Sequence, residues 1–164
     1  MNKNQHLHEV VITAIIVKGG KYLILRRSKN KKRFPGMWTV PGGKLETTDY
    51  LNLPKDTEFY WYNVLERTLK REVAEETGID IEDIGYVTSL ATIHEDGSPS
   101  IVISCMADFR AGKVRLNKEE NDAFAWVSLE KAQRYKLIDG IYDELVLAEN
   151  KRKGKKVEWK RFKK

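Results

Sequence analysis

Between Arg71 and Gly78 the chain reads Arg-Glu-Val-Ala-Glu-Glu-Thr-Gly, and this octet constrains the fold more than any other stretch. Leu65, Leu69 and Val73 recur every four residues, the spacing of one apolar stripe on a helix. At 100° per residue, Glu72, Glu75 and Glu76 fall within roughly 100° of one another on the helix surface. Carboxylates gathered in this way repel one another, and ordinary helix design does not call for them. A hard divalent cation, with its preference for oxygen ligands, reverses the sign of that repulsion. Arg71 stands four residues before Glu75 and is placed to hold one of the carboxylates. Taken alone the cluster also fits a solvated acidic face, so its neighbours have to decide.

The surroundings supply regular punctuation. Asn63, with Glu66 three residues on, predicts a capping box at the start of the helix. Gly78 stands where a left-handed cap ends one. Upstream, the β-branched run Val10–Val17 predicts a strand, Gly19-Gly20 a hairpin turn, and Tyr22–Leu25 the returning strand. Lys29–Arg33 is a charged loop. Phe34-Pro35-Gly36 leads into a short strand at Trp38–Val40, which Pro41-Gly42-Gly43 is expected to stop. Downstream, strands are predicted over Ile84–Thr92, Ile101–Phe109 and Phe124–Val127, with His94–Ser100 as a connecting turn. Ser128 is expected to cap a short helix, and Ile138–Glu149 to form another. This order predicts an α/β (α+β) sandwich around a mixed sheet.

A chain of 164 residues is enough for one domain with a sizeable core. Its 41% hydrophobic and 33% charged residues are ordinary for a soluble protein. Met1–Glu9 contains no apolar targeting segment, and Val10–Val17 is too short to span a bilayer, which points to a cytoplasmic protein without membrane contact. Cys105 is the single cysteine, so neither an internal disulfide nor a cysteine-rich metal site is available; it reads as a buried strand residue. The net charge of +6 is uneven. Lys151–Lys164 carries nine Lys/Arg and one Glu, or +8, which leaves −2 for residues 1–150. The expected organisation is therefore a slightly acidic domain over 1–150 and a basic tail over 151–164.

A second motif lies upstream of the helix. In Pro41-Gly42-Gly43-Lys44-Leu45-Glu46 the backbone can approach a ligand closely, because glycine has no Cβ. With the octet it closely resembles the Nudix box: Gly, five residues, Glu, seven residues, Arg-Glu, a bulky aliphatic, any residue, Glu-Glu, any residue, Gly, a bulky aliphatic. Gly43 opens the pattern, and Arg71 to Ile79 closes it without a mismatch. Gly36-Met37-Trp38-Thr39-Val40-Pro41-Gly42 and Leu23-Ile24-Leu25-Arg26-Arg27 also resemble the family's lead-in. There are two departures. Asp49 stands at the place of the first Glu, and 21 residues separate it from Arg71 where the family has seven. Leaving seven residues before Arg71 instead reaches Asn63, which has no carboxylate.

The resemblance implies the Nudix fold, an αβα sandwich with a central mixed β-sheet. It also implies a hydrolase that attacks phosphorus with water, with Mg2+ as cofactor and Mn2+ as a substitute. Carried over residue by residue, Glu72, Glu75 and Glu76 are metal ligands, with the Gly42 carbonyl among them. Glu72, Glu75 and Arg71 are catalytic. A further acidic residue from a later loop commonly serves as ligand or general base; Glu120 is the candidate, with Glu119 behind it. Arg26, Arg27 and Lys44 are candidate substrate contacts, and only one of the two arginines is expected to point inward, since strand neighbours face opposite ways. His6, His8 and His94 lack metal-ligand spacing.

For substrate, the resemblance to the MutT-like branch favours a (deoxy)nucleoside triphosphate. Markers of the branches acting on ADP-ribose and diadenosine polyphosphates are missing. The alternatives are an ADP-sugar or dinucleoside polyphosphate hydrolase, an RNA 5′-end pyrophosphohydrolase, and a nucleotide-sensing domain without catalysis. Phe59-Tyr60-Trp61-Tyr62, in the extra residues ahead of the helix, fits base stacking, a homodimer contact or plain packing. The tail, with Trp159 and Phe162 among its cations, offers nucleic-acid contact as a lesser alternative to a solvated or dimer-packing segment.

Overall fold

The computed structural model describes residues 7–162. Residues 1–6, with His6 and most of the expected leaderless start, and the tail's Lys163 and Lys164 lie outside that range.

The β-branched run forms β1 (Glu9–Lys18), and β2 (Lys21–Arg27) returns beside it. Gly19 and Gly20 have φ of 54° and 72°, the doubly left-handed turn whose twist matches a tight hairpin. The two strands pair only next to that turn, at Val17–Tyr22 and Lys18–Lys21, and then diverge. β3 (Trp38–Thr39) takes the freed edge of β2, and β4 (Gly42–Lys44) takes that of β1. Here the sequence expectation needs correction. Gly42-Gly43 does not merely stop a strand; it forms one, opposite Thr13 and Ile12. The approach to β1 is so close that a Cβ on Gly42 would lie 2.3 Å from the Ile12 carbonyl oxygen, which is why no larger residue serves there.

β5 (Ile79–Ile93) and β6 (Pro99–Gly112) form a long hairpin, and β6 runs parallel to β1 from Glu9–Ser100 to Val17–Asp108. The expected turn is present, with His94 N–H donating to Ser98 at 2.9 Å. β7 (Asn121–Val127) lies antiparallel to β2 and completes a seven-stranded mixed sheet.

Alternation along the strands divides the core in two. Ile12, Ala14, Ile16, Leu23 and Leu25 pack with Leu69 and Val73 of α1 (Val64–Thr77) on one face. Ile15, Val17, Tyr22 and Ile24 pack on the other face with Ala132 of α2 (Leu129–Ala132) and with Leu145 and Ala148 of α3 (Ile141–Arg152). Covered on both sides, β1 needs an unbroken apolar run rather than an alternating one. The result is the αβα sandwich expected. Cys105 is buried in β6, and burial pushes its thiol up to about 11. No helix among the described residues is long and apolar enough to cross a membrane.

The helix ends differ in how well they follow expectation. Ser128 Oγ accepts from Lys131 N–H, and Gly78 caps α1 at φ 68° with its N–H on the Ala74 carbonyl. The capping box at Asn63 is absent: Asn63 is left-handed, with φ 53° and ψ 34° and no side-chain cap. A capping side chain reaches back over the first turn only from extended backbone, and Asn63 instead turns the chain out of the preceding aromatic segment. α3 continues to Arg152, past the division expected at residue 150. The chain then folds back over α3. Val157 packs on the core beneath it, Arg161 pairs with Asp139 and Asp143, and Phe162 N–H donates to Asp143 at 2.7 Å.

Candidate active site

Two pieces distant in sequence meet where β4 passes under α1. Gly43 pairs with Ile12, whose side chain faces α1, so a side chain at 43 would point at the helix. The carboxyl group of Glu72 fills that space: a Cβ on Gly43 would stand 2.1 Å from Glu72 Cδ. One turn on, Glu76 Oε2 accepts from Gly42 N–H at 3.4 Å, a long contact. Burial raises the pKa of both acids. Glu72 moves up despite Arg71 beside it, and Glu76 rises to about 8, with Glu72 and Glu120 adding like-charge repulsion.

Arg71 joins three segments. Its Nε donates to Asp49 Oδ1 at 2.5 Å, and its Nη2 donates to Asp49 Oδ2 and to the Lys44 carbonyl, both at 3.2 Å. Its Nη1 lies 2.9 Å from Glu72 and 3.1 Å from Glu75. Asp49 sits at the end of a 3-10 turn (Thr47–Asp49), 3% exposed at its side chain, and also accepts from Thr68 Oγ1 at 2.9 Å and Glu46 N–H at 2.9 Å. The Arg71 guanidinium holds the Asp49 carboxyl below the usual carboxylate range. Asp49 is thus the acidic partner of Arg71, and Asn63, at the seven-residue spacing, is not.

The opposite wall comes from the segment between β6 and β7. Arg115 N–H donates to the Thr77 carbonyl and Asn117 N–H to the Glu76 carbonyl, which ties this segment to the end of α1. Glu120 N–H donates to Asn117, and the Glu120 carbonyl receives Ser28 N–H. Glu120 thereby comes close enough to Glu76 to raise its pKa, with its own carboxylate on Lys31 Nζ. Arg27 faces the same side and acts on Glu76 in the opposite sense.

Glu72, Glu76, Glu120, Arg27 and the Gly42-Gly43 strand therefore share one site. Two expected members do not converge with them. Arg26 faces the other layer, paired to Asp122 at 2.6 Å and lying over Trp38. Lys44 turns its ammonium to Glu9 at 2.5 Å and offers the site only its carbonyl. Glu75, 59% exposed, stands at the rim of the site and shares Arg71 Nη1 with Glu72. His94 bonds Ser100 and Arg33, away from the glutamates. Sequence reasoning left Lys31 in a solvated loop and overlooked Thr68. The first meets Glu120 across 89 residues; the second was signalled only by its place on the buried side of the helix.

Among the described residues, no three acidic, His or Cys side chains close on one point as a finished ligand set. The donor chemistry nevertheless fits a divalent cation. Two acid groups are crowded together, and one of them is pushed up to about 8 by burial, with the neighbouring carboxylates adding to the shift.

The sequence matches the NUDIX domain over residues 6–146. It is 30% identical over 128 residues to the NAD-capped RNA hydrolase NudC of Mannheimia succiniciproducens, covering 75% of this chain but only 42% of that protein. It is 24% identical over 139 residues to the nucleoside triphosphatase NudI of Escherichia coli, covering 77% of this chain and 86% of that one. The solution structure of the E. coli ORF135 protein superposes with a TM-score of 0.66 at 25% identity, over 92% of this chain and 95% of that one.

Proposed function

We propose, for a chain that belongs to the NUDIX family of hydrolases, that it cleaves a phosphoanhydride bond of a (deoxy)nucleoside triphosphate with water. The observation that carries this reading is the meeting of Glu72 and Glu76 with the side-chain-free Gly42-Gly43 strand, which sets two carboxyl groups directly against backbone. Glu72, Glu76 and the Gly42 carbonyl would hold a divalent cation, Mg2+ in the first instance, with Glu120 joining from the facing segment and Glu75 from the rim. When bound, that ion neutralises charge developing on phosphoryl oxygens and lowers the pKa of water.

The protein's own groups do the rest. Arg27 reaches toward Glu76 from β2 and binds a phosphate oxygen; its Nε is already held by the Arg33 carbonyl at 2.8 Å, which orients the fork. Arg71, fixed by Asp49, keeps Glu72 directed at the glycine strand. Glu120 accepts a proton from the attacking water at its carboxylate, and Lys31 is its counter-charge.

Triphosphates are favoured because this chain spans 86% of NudI, a relative of about its own extent, and less than half of NudC. The second reading, cleavage of a dinucleotide pyrophosphate, has the NudC likeness in its favour. A screen of nucleoside triphosphates, reduced and oxidised NAD and ADP-ribose with Mg2+ separates the two. Release of pyrophosphate from a triphosphate supports the first, and release of two mononucleotides from NAD supports the second. Turnover of none, with binding retained, would leave a nucleotide sensor and overturn both.

A further inference from the structure

We infer that the C-terminal segment, seated on the α3 layer with the sheet between it and the catalytic glutamates, is a binding surface for single-stranded nucleic acid. The segment's cations fall into two sets. Arg152 is committed to Asp108 at 2.7 Å, Lys153 to Glu149 at 2.7 Å, and Arg161 to Asp139 and Asp143. With Val157 in the core and Phe162 N–H on Asp143, these contacts anchor the chain to α3. Lys155, Lys156 and Lys160 have no acidic partner among the described residues, and all three are exposed. An anchored segment that leaves its lysines unneutralised presents a fixed row of positive charge rather than a frayed end.

The shape and the aromatic content narrow the partner. Lys151, Lys155 and Lys156 line a shallow depression of about 640 Å3 with Gly154, Val157 and Glu158. Tyr86 lies beside Lys151, whose ammonium is 5.3 Å from its ring, and remains 58% exposed. Trp159 is 47% exposed, with the anchored Arg161 5.9 Å from its ring. Exposed rings on the same surface as unneutralised lysines are what a chain of phosphates and unstacked bases requires: charge for the backbone and flat faces for the bases. Residues 155–162 form neither helix nor strand, so the segment offers no amphipathic helix to lay on a membrane. Residues 1–150 carry −2 overall, so a polyanion is drawn to this end of the molecule rather than to its whole surface.

The inference concerns binding and is independent of which phosphoanhydride the catalytic site cleaves. Its test is anisotropy of a labelled oligouridylate with the full-length protein, titrated between about 50 and 200 mM salt. The wild type is expected to bind with an affinity that falls steeply with salt. The triple variant Lys155→Gln, Lys156→Gln, Lys160→Gln is expected to lower the log–log slope by about 2, at roughly 0.7 per lost phosphate contact. Trp159→Ala is expected to weaken binding about tenfold at constant salt, the loss of one stacked base. Matching circular dichroism and melting curves keep a folding defect apart from a binding one. Absence of binding at the lowest salt, an unchanged slope in the triple variant, equal affinity for duplex RNA, or capture by phosphatidylserine vesicles without RNA binding would each overturn the inference.

Discussion

Asp49 and Arg71 stand 22 positions apart in the chain and share a forked ion pair, Nε to Oδ1 at 2.5 Å and Nη2 to Oδ2 at 3.2 Å. Asp49 is nearly sealed from solvent and has no other cationic partner among its contacts, so removing Arg71 strands a buried charge. Arg71→Ala is expected to cost about 3 kcal/mol of stability, and Asp49→Asn combined with Arg71→Ala to cost less than the sum of the single changes. Denaturant melts of the four proteins give the coupling energy; additivity would show the pair to be idle.

The same pair predicts a dependence on pH. The folded-state pKa of Asp49 is depressed, so its contribution is complete above the unfolded carboxylate value near ~3.9 and is lost as pH falls through the folded value. The difference in melting temperature between wild type and Asp49→Asn is therefore expected to be full at neutral pH and to shrink below about pH 4. A constant difference down to pH 2 would exclude the pair as its source.

Glu144 on α3 predicts the opposite trend. Burial, with Asp143 beside it, raises its pKa, so the folded protein holds this proton more tightly than the unfolded chain does. Ionisation of Glu144 opposes folding as pH rises from the ordinary value towards the raised one. Glu144→Gln is expected to melt higher than the wild type at neutral pH and to lose that advantage in acid. Calorimetric scans across that range decide it.

The two adjacent glycines of β4 are expected to fail in different ways. A Cβ at Gly42 meets backbone, the Ile12 carbonyl and the Thr13 Cα at 2.7 Å, and neither can move alone. Gly42→Ala should therefore lower stability and solubility. At Gly43 the obstruction is the far end of the Glu72 side chain, which can swing away. Gly43→Ala should melt near the wild type yet lose about a hundredfold or more in kcat, and bind Mn2+ more weakly. A Gly43→Ala protein with full turnover would contradict the assignment of Glu72.

Excision of Tyr50–Asn63 removes fourteen residues and leaves seven between Asp49 and Arg71. Much of this insert is closed upon itself. Trp61 Nε1 donates to the Leu53 carbonyl, Tyr50 packs against Trp61 with the rings tilted and their centres 5.3 Å apart, and Tyr62 N–H donates to Asp56. Its one ion pair to the helix, Asp56 with Arg67, is long at 3.8 Å. The shortened protein is expected to fold and to keep the Asp49–Arg71 coupling; loss of coupling would show that the insert positions Asp49.

These residues also show what a sequence can and cannot disclose. The strands around β1, the α1 stripe and the Gly78 cap were legible because each is governed by local periodicity or by the conformational freedom of one glycine. Glu72 and Glu76 were legible because their crowding on one helix face coincides with an upstream Gly-Gly turn, a combination that ordinary helix design does not call for. The divergence of β1 from β2, which admits β4 between them, has no local signature, and so Gly42-Gly43 read as a stop. That Glu120 faces Glu76 depends on the segment from Arg115 to Asn117 docking on α1, and the setting of the guanidinium that bridges Glu72 and Glu75 depends on Asp49. Both are tertiary events. The Asp49–Arg71 pair was obscured by the intervening residues, because linear spacing misjudges a loop that returns to its starting point.

Arg71 bonds α1, the Lys44 carbonyl of β4 and Asp49 with one planar group, and this bears on the order of assembly. Its bonds to Asp49 and to the Lys44 carbonyl cannot form until the glycine strand, the turn before the insert and the helix have all arrived, so they are expected to form after the folding barrier. Loss of Arg71 should leave the refolding rate nearly unchanged and appear almost wholly as faster unfolding. The arginine is a late clasp on a structure already gathered, and it governs how long the native state lasts once formed.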